Sequence, residues 1–171
     1  MSLRIFYHPY YSSLTLPERH RFPLAKYQAI YQHLAALGYP LAEAPAASRE
    51  QIARVHDADY VEAALTGQLE REAIRRLGFP WSPMLIERTL RSVGATVAAS
   101  RHALEQGCGL QISGGYHHAH RDFGSGFCLF NDLVIAARAC LDEGSCEQVL
   151  IVDLDVHQGD GSAALCTGSQ D

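Results

Sequence analysis

The segment Asp153-Leu154-Asp155-Val156-His157 carries the strongest chemical signal in the sequence. In extended chain, residues two apart share a face, so Asp153, Asp155 and His157 point one way and Leu154 and Val156 the other. Carboxylates held side by side near a core repel one another and are costly to desolvate. A cation between them removes that cost, and aspartate with histidine suits a borderline divalent metal such as Zn²⁺. Gln158-Gly159-Asp160-Gly161 adds a further acid in a tight glycine-rich turn. The competing reading is a solvated strand end with incidental acids.

The second feature is Gly114-Gly115-Tyr116-His117-His118-Ala119-His120. Glycine permits the backbone turns that let adjacent histidines face one cleft. Tandem histidines with carboxylates available to orient each ring predict a general acid/base pair, His117 and His118. An exposed His-rich loop or fortuitous chelation is the alternative. His120 reads as structural or solvent-facing. Gly124-Ser125-Gly126-Phe127-Cys128 is a flexible turn presenting an aromatic ring, and alone it reads as core packing. The other histidines, His8, His20, His33, His56 and His102, are scattered and read as structural.

These residues need elements to position them. Arg4 to Tyr7 reads as a first strand, stopped by Pro9, and residues 8 to 23 as loop. Leu24 to Leu37 has helical apolar spacing and ends at Gly38. Ser48 to Gln51 has the form of a capping box opening a short helix through Ile52 and Val55. A second short helix runs from Asp59 to Leu65. Gly78 to Pro83 is a rigid aromatic loop, and Met84 to Gln106 is the longest helix, closed by Gly107. Gly109 to Ser113 is a strand, Gly114 to Phe130 a loop, and Asn131 to Glu143 a helix with Asn131 as its cap. Val149-Leu150-Ile151-Val152 is an unbroken apolar run that suits a parallel strand covered on both faces. A last helix begins near Gly161. Strands alternating with helices predict an α/β fold with a largely parallel sheet. Ligands then bind at the carboxyl ends of the strands, where both motifs fall. The organisation looks unfinished at Asp171, because the apolar segment Ala163 to Cys166 has nothing after it to pack against.

Composition narrows the function classes. The chain has 171 residues, 47% hydrophobic, with a net charge of −5, enough for one domain with a sizeable core. There is no Lys/Arg-rich run, so a nucleic-acid surface is disfavoured. No stretch reaches the ~18 consecutive apolar residues of a membrane span. Cys108, Cys128, Cys140, Cys146 and Cys166 are odd in number and irregularly spaced. That pattern argues against a disulfide framework and for small buried hydrophobes in a reducing cytoplasm.

Taken together, Gly114 to His118, Gly126 to Cys128 and Asp153 to Gly161 resemble the zinc-dependent histone deacetylase family. That group includes the acetoin-utilisation proteins and acetylpolyamine amidohydrolases. The likeness extends upstream through His20 to Tyr27 and His56 to Val61, and its details look most like the class IV and bacterial branch. The resemblance implies a three-layer, parallel-sheet arginase/deacetylase-like fold, incomplete at the C-terminus. Residues 1–171 would then be the amino-terminal part of a single deacetylase-like domain. It implies that Asp155 and His157 are zinc ligands and that His117 and His118 are the catalytic histidines. Asp153 would orient the first histidine and Asp160 the second. Asp153, Asp155 and the His157 backbone match a monovalent-cation site, usually potassium. Phe127, with Gly126 and Gly115, matches the acyl-lysine tunnel. In the implied mechanism zinc polarises the amide carbonyl, His118 takes the proton of the attacking water, and the tandem pair protonates the leaving amine.

The family's third zinc ligand and its carbonyl-polarising tyrosine lie further downstream than Asp171, whose Gly168-Ser169-Gln170 context does not match the third-ligand motif. Three functions follow. The first is zinc-dependent hydrolysis of an acetyl amide on an acetylated lysine peptide, an acetylpolyamine or a small acetylated amine, with release of acetate. The second is a non-catalytic binding module of the same fold. The third is a binuclear manganese ureohydrolase of similar architecture.

Overall fold

A computed structural model describes residues 2–167. Its sheet has three parallel strands in the order β2-β1-β3. β1 is Ser2–Tyr7, β2 is Leu41–Glu43 and β3 is Gly107–Gln111. The central strand pairs Ile5 with Leu41 on one side and with Leu110 on the other. β1 is followed by a 3-10 turn over Pro9–Ser12 and then by α1, Ala25–Ala36. The helix is where the periodicity puts it, but Tyr27 is its buried residue, while Ile30 and Leu37 face solvent.

The short helices are α2 (Arg49–Ala53), α3 (Ala58–Thr66) and α4 (Arg71–Leu77). The capping box forms as predicted: Gln51 N–H donates to Ser48 Oγ and Ser48 N–H to Gln51 Oε1. The long helix α5, Pro83–Gln106, starts on a Ser82 cap with proline in its first turn. A proline there loses no intrahelical hydrogen bond. α6, Asp132–Asp142, begins at the Asn131 cap, and α7 is Asp160–Cys166.

α5 packs across β1 and β3 on one side and against α6 on the other. The main core lies between these helices and α2 to α4, around Ile52, Val61, Leu85, Val93, Phe130 and Ile135. A second cluster, including Phe6, Tyr11, Tyr27 and Ala95, fills the space under β1. No disulfide forms among the described residues. Cys128 and Cys140 are buried as expected, but Cys108 and Cys166 are exposed and Cys146 half-buried, so the burial reading holds for only part of the set.

The apolar run Val149 to Val152 departs from expectation. It has no ladder partner among the described residues and is not a strand. Leu150 is 83% exposed, Leu154 92% and Val156 93%. An apolar run reports a need for cover on both faces. The described residues line this segment with α5, α6 and α7 and leave the opposite face open. Leu154 and Val156, opposite the acids in an extended chain, are among the most exposed apolar residues described.

Candidate active site

The loop after β3 leaves the carboxyl end of the sheet and carries Gly114 to His120. It turns at Gly114, which adopts φ +101. A Cβ there would also lie 2.5 Å from Asp132 Oδ2, so a side chain is excluded on both counts. Beyond the turn, α7 docks directly on the histidine backbone. Ser162 N–H donates to His117 O at 3.0 Å. Asn131, besides capping α6, donates from Nδ2 to both Ala119 O and Ser162 Oγ. α6 and α7 thus fix the loop from two sides.

This scaffold brings each tandem histidine to its own carboxylate. His117 Nδ1 meets Asp153 Oδ2 at 2.6 Å, and His118 Nδ1 meets Asp160 Oδ1 at 2.6 Å. The two rings lie 4.1 Å apart, centroid to centroid. His117 is almost completely buried, whereas His118 is partly open. A carboxylate only accepts, so Nδ1 is the donor in each pair, and Nε2 is the ring nitrogen left to exchange a proton with a substrate. The His117 ring and the Asp155 N–H hold the Asp153 carboxyl below the usual carboxylate range. The His118 ring does the same for Asp160. His120, read from sequence as structural or solvent-facing, also reaches Asp160, with Nε2 3.4 Å from Oδ2, while its ring stacks on Phe123.

Asp155 and His157 stand beside the pair. The His157 ring is 6.0 Å from that of His118. Asp153 Oδ1 accepts from Asp155 N–H, and Asp155 Oδ1 accepts from His157 N–H, so the segment is a run of side-chain-to-backbone turns rather than a flat strand end. The His157 backbone N–H and then its ring lower the Asp155 carboxyl. His157 Nδ1 and Asp155 Oδ1 are 2.9 Å apart, an ordinary hydrogen bond that keeps the two side chains together at one spot. Carboxylate oxygen with imidazole nitrogen is a donor set that fits zinc. Among the described residues no group of three or more His, Cys, Asp or Glu side chains converges to hold a metal. Asp171 lies outside the described residues.

Gly126 lies against the His118 ring: a Cβ there would be 2.7 Å from His118 Cδ2. The next residue, Phe127, joins an aromatic wall with His20, Phe22 and Phe79. The Phe79 and Phe22 rings are 5.1 and 5.3 Å from that of Phe127, and His20 stacks on Phe79 at 5.5 Å. Phe127 is half-buried and packs against the main core, as the core-packing reading expects, with part of its ring left accessible. Gly115 is exposed at the loop tip. Burial pushes the neighbouring Cys128 thiol up to about 12, which removes it as a thiolate nucleophile.

Residues 20–171 match the model of the histone deacetylase domain. The chain belongs to the histone deacetylase family. This deacetylase-family chain is 42% identical over 169 residues to an uncharacterized protein of Picosynechococcus, covering 96% of this chain and 56% of that one. It is 26% identical over 160 residues to histone deacetylase 2 of Arabidopsis thaliana, covering 88% of this chain and 41% of the relative. It is 30% identical over 128 residues to the acetoin utilization protein AcuC of Staphylococcus aureus, covering 68% and 32%. The chain thus spans about a third to just over half the length of these relatives. The parallel sheet flanked by helices agrees with the arginase/deacetylase-like α/β fold expected of the family. Among the described residues no helix is long and apolar enough to cross a membrane.

Sequence reasoning missed Asp132 and Arg88, both buried next to the histidine loop. Asp132 follows a cap residue and reads as an ordinary first-turn acid. Arg88 sits in a long helix, where a charge reads as solvent-facing. Only the packing of the loop against both helices reveals them.

Proposed function

We propose that this protein hydrolyses an acetyl or related acyl amide on a lysine side chain or a similar amine, releasing acetate, with zinc as its metal. The observation that carries the reading is the pair of histidines, each with Nδ1 bound to a separate carboxylate. Asp155 and His157 would supply two of the zinc ligands. Bound there, the ion supplies Lewis-acid polarisation of the amide and an acidified water. The chain's own residues do the rest.

His118, the more open ring, accepts the proton of the attacking water at Nε2. The charge that forms on the ring is balanced by Asp160 at Nδ1. The pair then returns a proton to the departing amine, with Asp153 holding the buried His117 in register. The half-buried rings of Phe22 and Phe127, beside Gly126 and backed by the buried Phe79, would receive the apolar stem of an acylated amine. Asp153, Asp155 and the His157 carbonyl would take a monovalent cation such as potassium. Acetylated lysine peptides, acetylpolyamines and small acetylated amines all fit this stem-and-amide chemistry.

The test is zinc content and release of acetate from an acetyl-lysine substrate by the full-length protein. Asp155→Ala should abolish zinc binding and turnover together. His118→Ala should keep the zinc and lower turnover ~10²–10⁴-fold. An Asp155→Ala variant with normal metal content refutes the ligand assignment. A zinc-loaded wild type without acetate release would favour the non-catalytic binding module.

A further inference from the structure

Arg88 and Asp132 are 1% and 0% exposed, and neither forms an ion pair among the described residues. Burying a charge without a counter-charge is expensive, so each must be held by other means. Both are held through Tyr116. Asp132 Oδ1 accepts from Tyr116 N–H at 2.8 Å, and Asp132 Oδ2 accepts from Gly115 N–H at 3.1 Å. Arg88 donates from Nη1 to the Tyr116 hydroxyl at 3.1 Å and from Nε to Tyr11 O at 3.2 Å. The same hydroxyl meets Ser113 Oγ at 2.9 Å. Tyr116 is therefore gripped at its backbone by the buried Asp132 carboxyl group and at its far end by the buried Arg88 guanidinium.

Burial pushes the Asp132 carboxyl above its ordinary range, and the hydrogen bonds it accepts from Thr96, Tyr116 N–H and Gly115 N–H favour the charged form against that push. The Thr96 hydroxyl and the Gln111 amide both donate to Asp132 Oδ2. Asp132 is also the first residue of α6, where the helix dipole favours negative charge. Charge-assisted bonds to two successive peptide N–H groups are stiffer than neutral ones. The residue after that clamped pair of peptides is His117, whose Nδ1 must meet Asp153 at 2.6 Å.

We infer that Asp132 is a positioning residue for the reaction: its buried carboxylate clamps the Gly115-Tyr116 backbone and so sets the His117 ring against Asp153, with Arg88 securing Tyr116 from the other end. The inference rests on the proposed deacetylase reading for its catalytic consequence, though not for its geometric one. Asp132→Asn keeps an acceptor for Tyr116 N–H but turns a donor toward Gly115 N–H, so the clamp is half lost. His118 is held by Asp160 from α7 and does not depend on it.

The test is made on the full-length protein. Short imidazole–carboxylate bonds give ring N–H protons far downfield in the proton NMR spectrum. Asp153→Asn and Asp160→Asn assign the His117 and His118 signals. Asp132→Asn should shift or broaden the His117 signal, leave the His118 signal in place, and lower kcat about tenfold to hundredfold with little change in KM. If Asp132→Asn is not recovered folded, Thr96→Val, which removes a neutral donor to the carboxylate, should move the His117 signal selectively. An unchanged His117 signal in the folded variant, or loss of both signals together, overturns the inference. If wild-type protein releases no acetate, the proposed function fails while the selective NMR shift still decides the positioning role.

Discussion

Lowering pH should cost this protein stability through His56 before it affects the carboxylates of the site. His56 is 2% exposed. Its Nδ1 donates to His120 O at 2.8 Å, and its Nε2 accepts from Asn131 N–H at 2.9 Å. That arrangement requires the neutral ring, because a proton on Nε2 would face the Asn131 N–H. Burial lowers the His56 pKa from 6.5 to about 4. The unfolded chain therefore takes up a proton near pH 6.5 that the folded chain refuses until about pH 4. Stability is complete above that window and falls as pH drops through it. At about 1.4 kcal/mol per pH unit, the loss attributable to His56 is about 3 kcal/mol. His8, also lowered by burial, adds to the fall in the same sense. The site carboxylates, which sit below their ordinary range, contribute only in stronger acid. The assay is urea unfolding at half-unit steps from pH 8 to pH 4, for wild type and His56→Gln. The variant should be less stable at pH 8 yet lose less on acidification. Parallel stability curves for the two proteins would refute the assignment.

Gly161→Ala should place a Cβ 2.4 Å from Ala119 O and 2.7 Å from His117 O, pushing α7 off the histidine backbone. Turnover should fall at least about tenfold, measured as kcat/KM beside a melting curve. Ser48→Ala removes the exposed capping box over α2 and should cost about 1 kcal/mol, lowering Tm by about 2–4 °C with unchanged turnover.

Much of the site was legible because its chemistry lies in short contiguous runs. His117 and His118 are adjacent, and Asp153, Asp155 and His157 alternate, so residue type and spacing alone select them. The pairing of His117 with Asp153 and of His118 with Asp160 came through family resemblance and agrees with the geometry. The helices α5 and α6 announce themselves by caps and periodicity. Other features were not legible, the short helix α4 among them. β2 is three residues long and has no alternation to detect. The run Val149 to Val152 carries the composition of a covered strand, but composition reports a demand for burial rather than the presence of a partner. Arg88 and Asp132 are charged residues inside a core, and only tertiary contacts reveal why they are there.

The bonds that prime the histidines join residues 36 and 42 positions apart. A ribosome adding about 5–20 residues per second needs about 2 to 8 s to make the longer of these stretches. For that interval His117 and His118 exist on the nascent chain without the acids that fix their tautomers. The brace from β3, α5 and α6 can be built first, since every residue in it precedes position 143. Synthesis thus completes the brace first, then brings Asp153 to His117, and brings Asp160 to His118 only when α7 arrives.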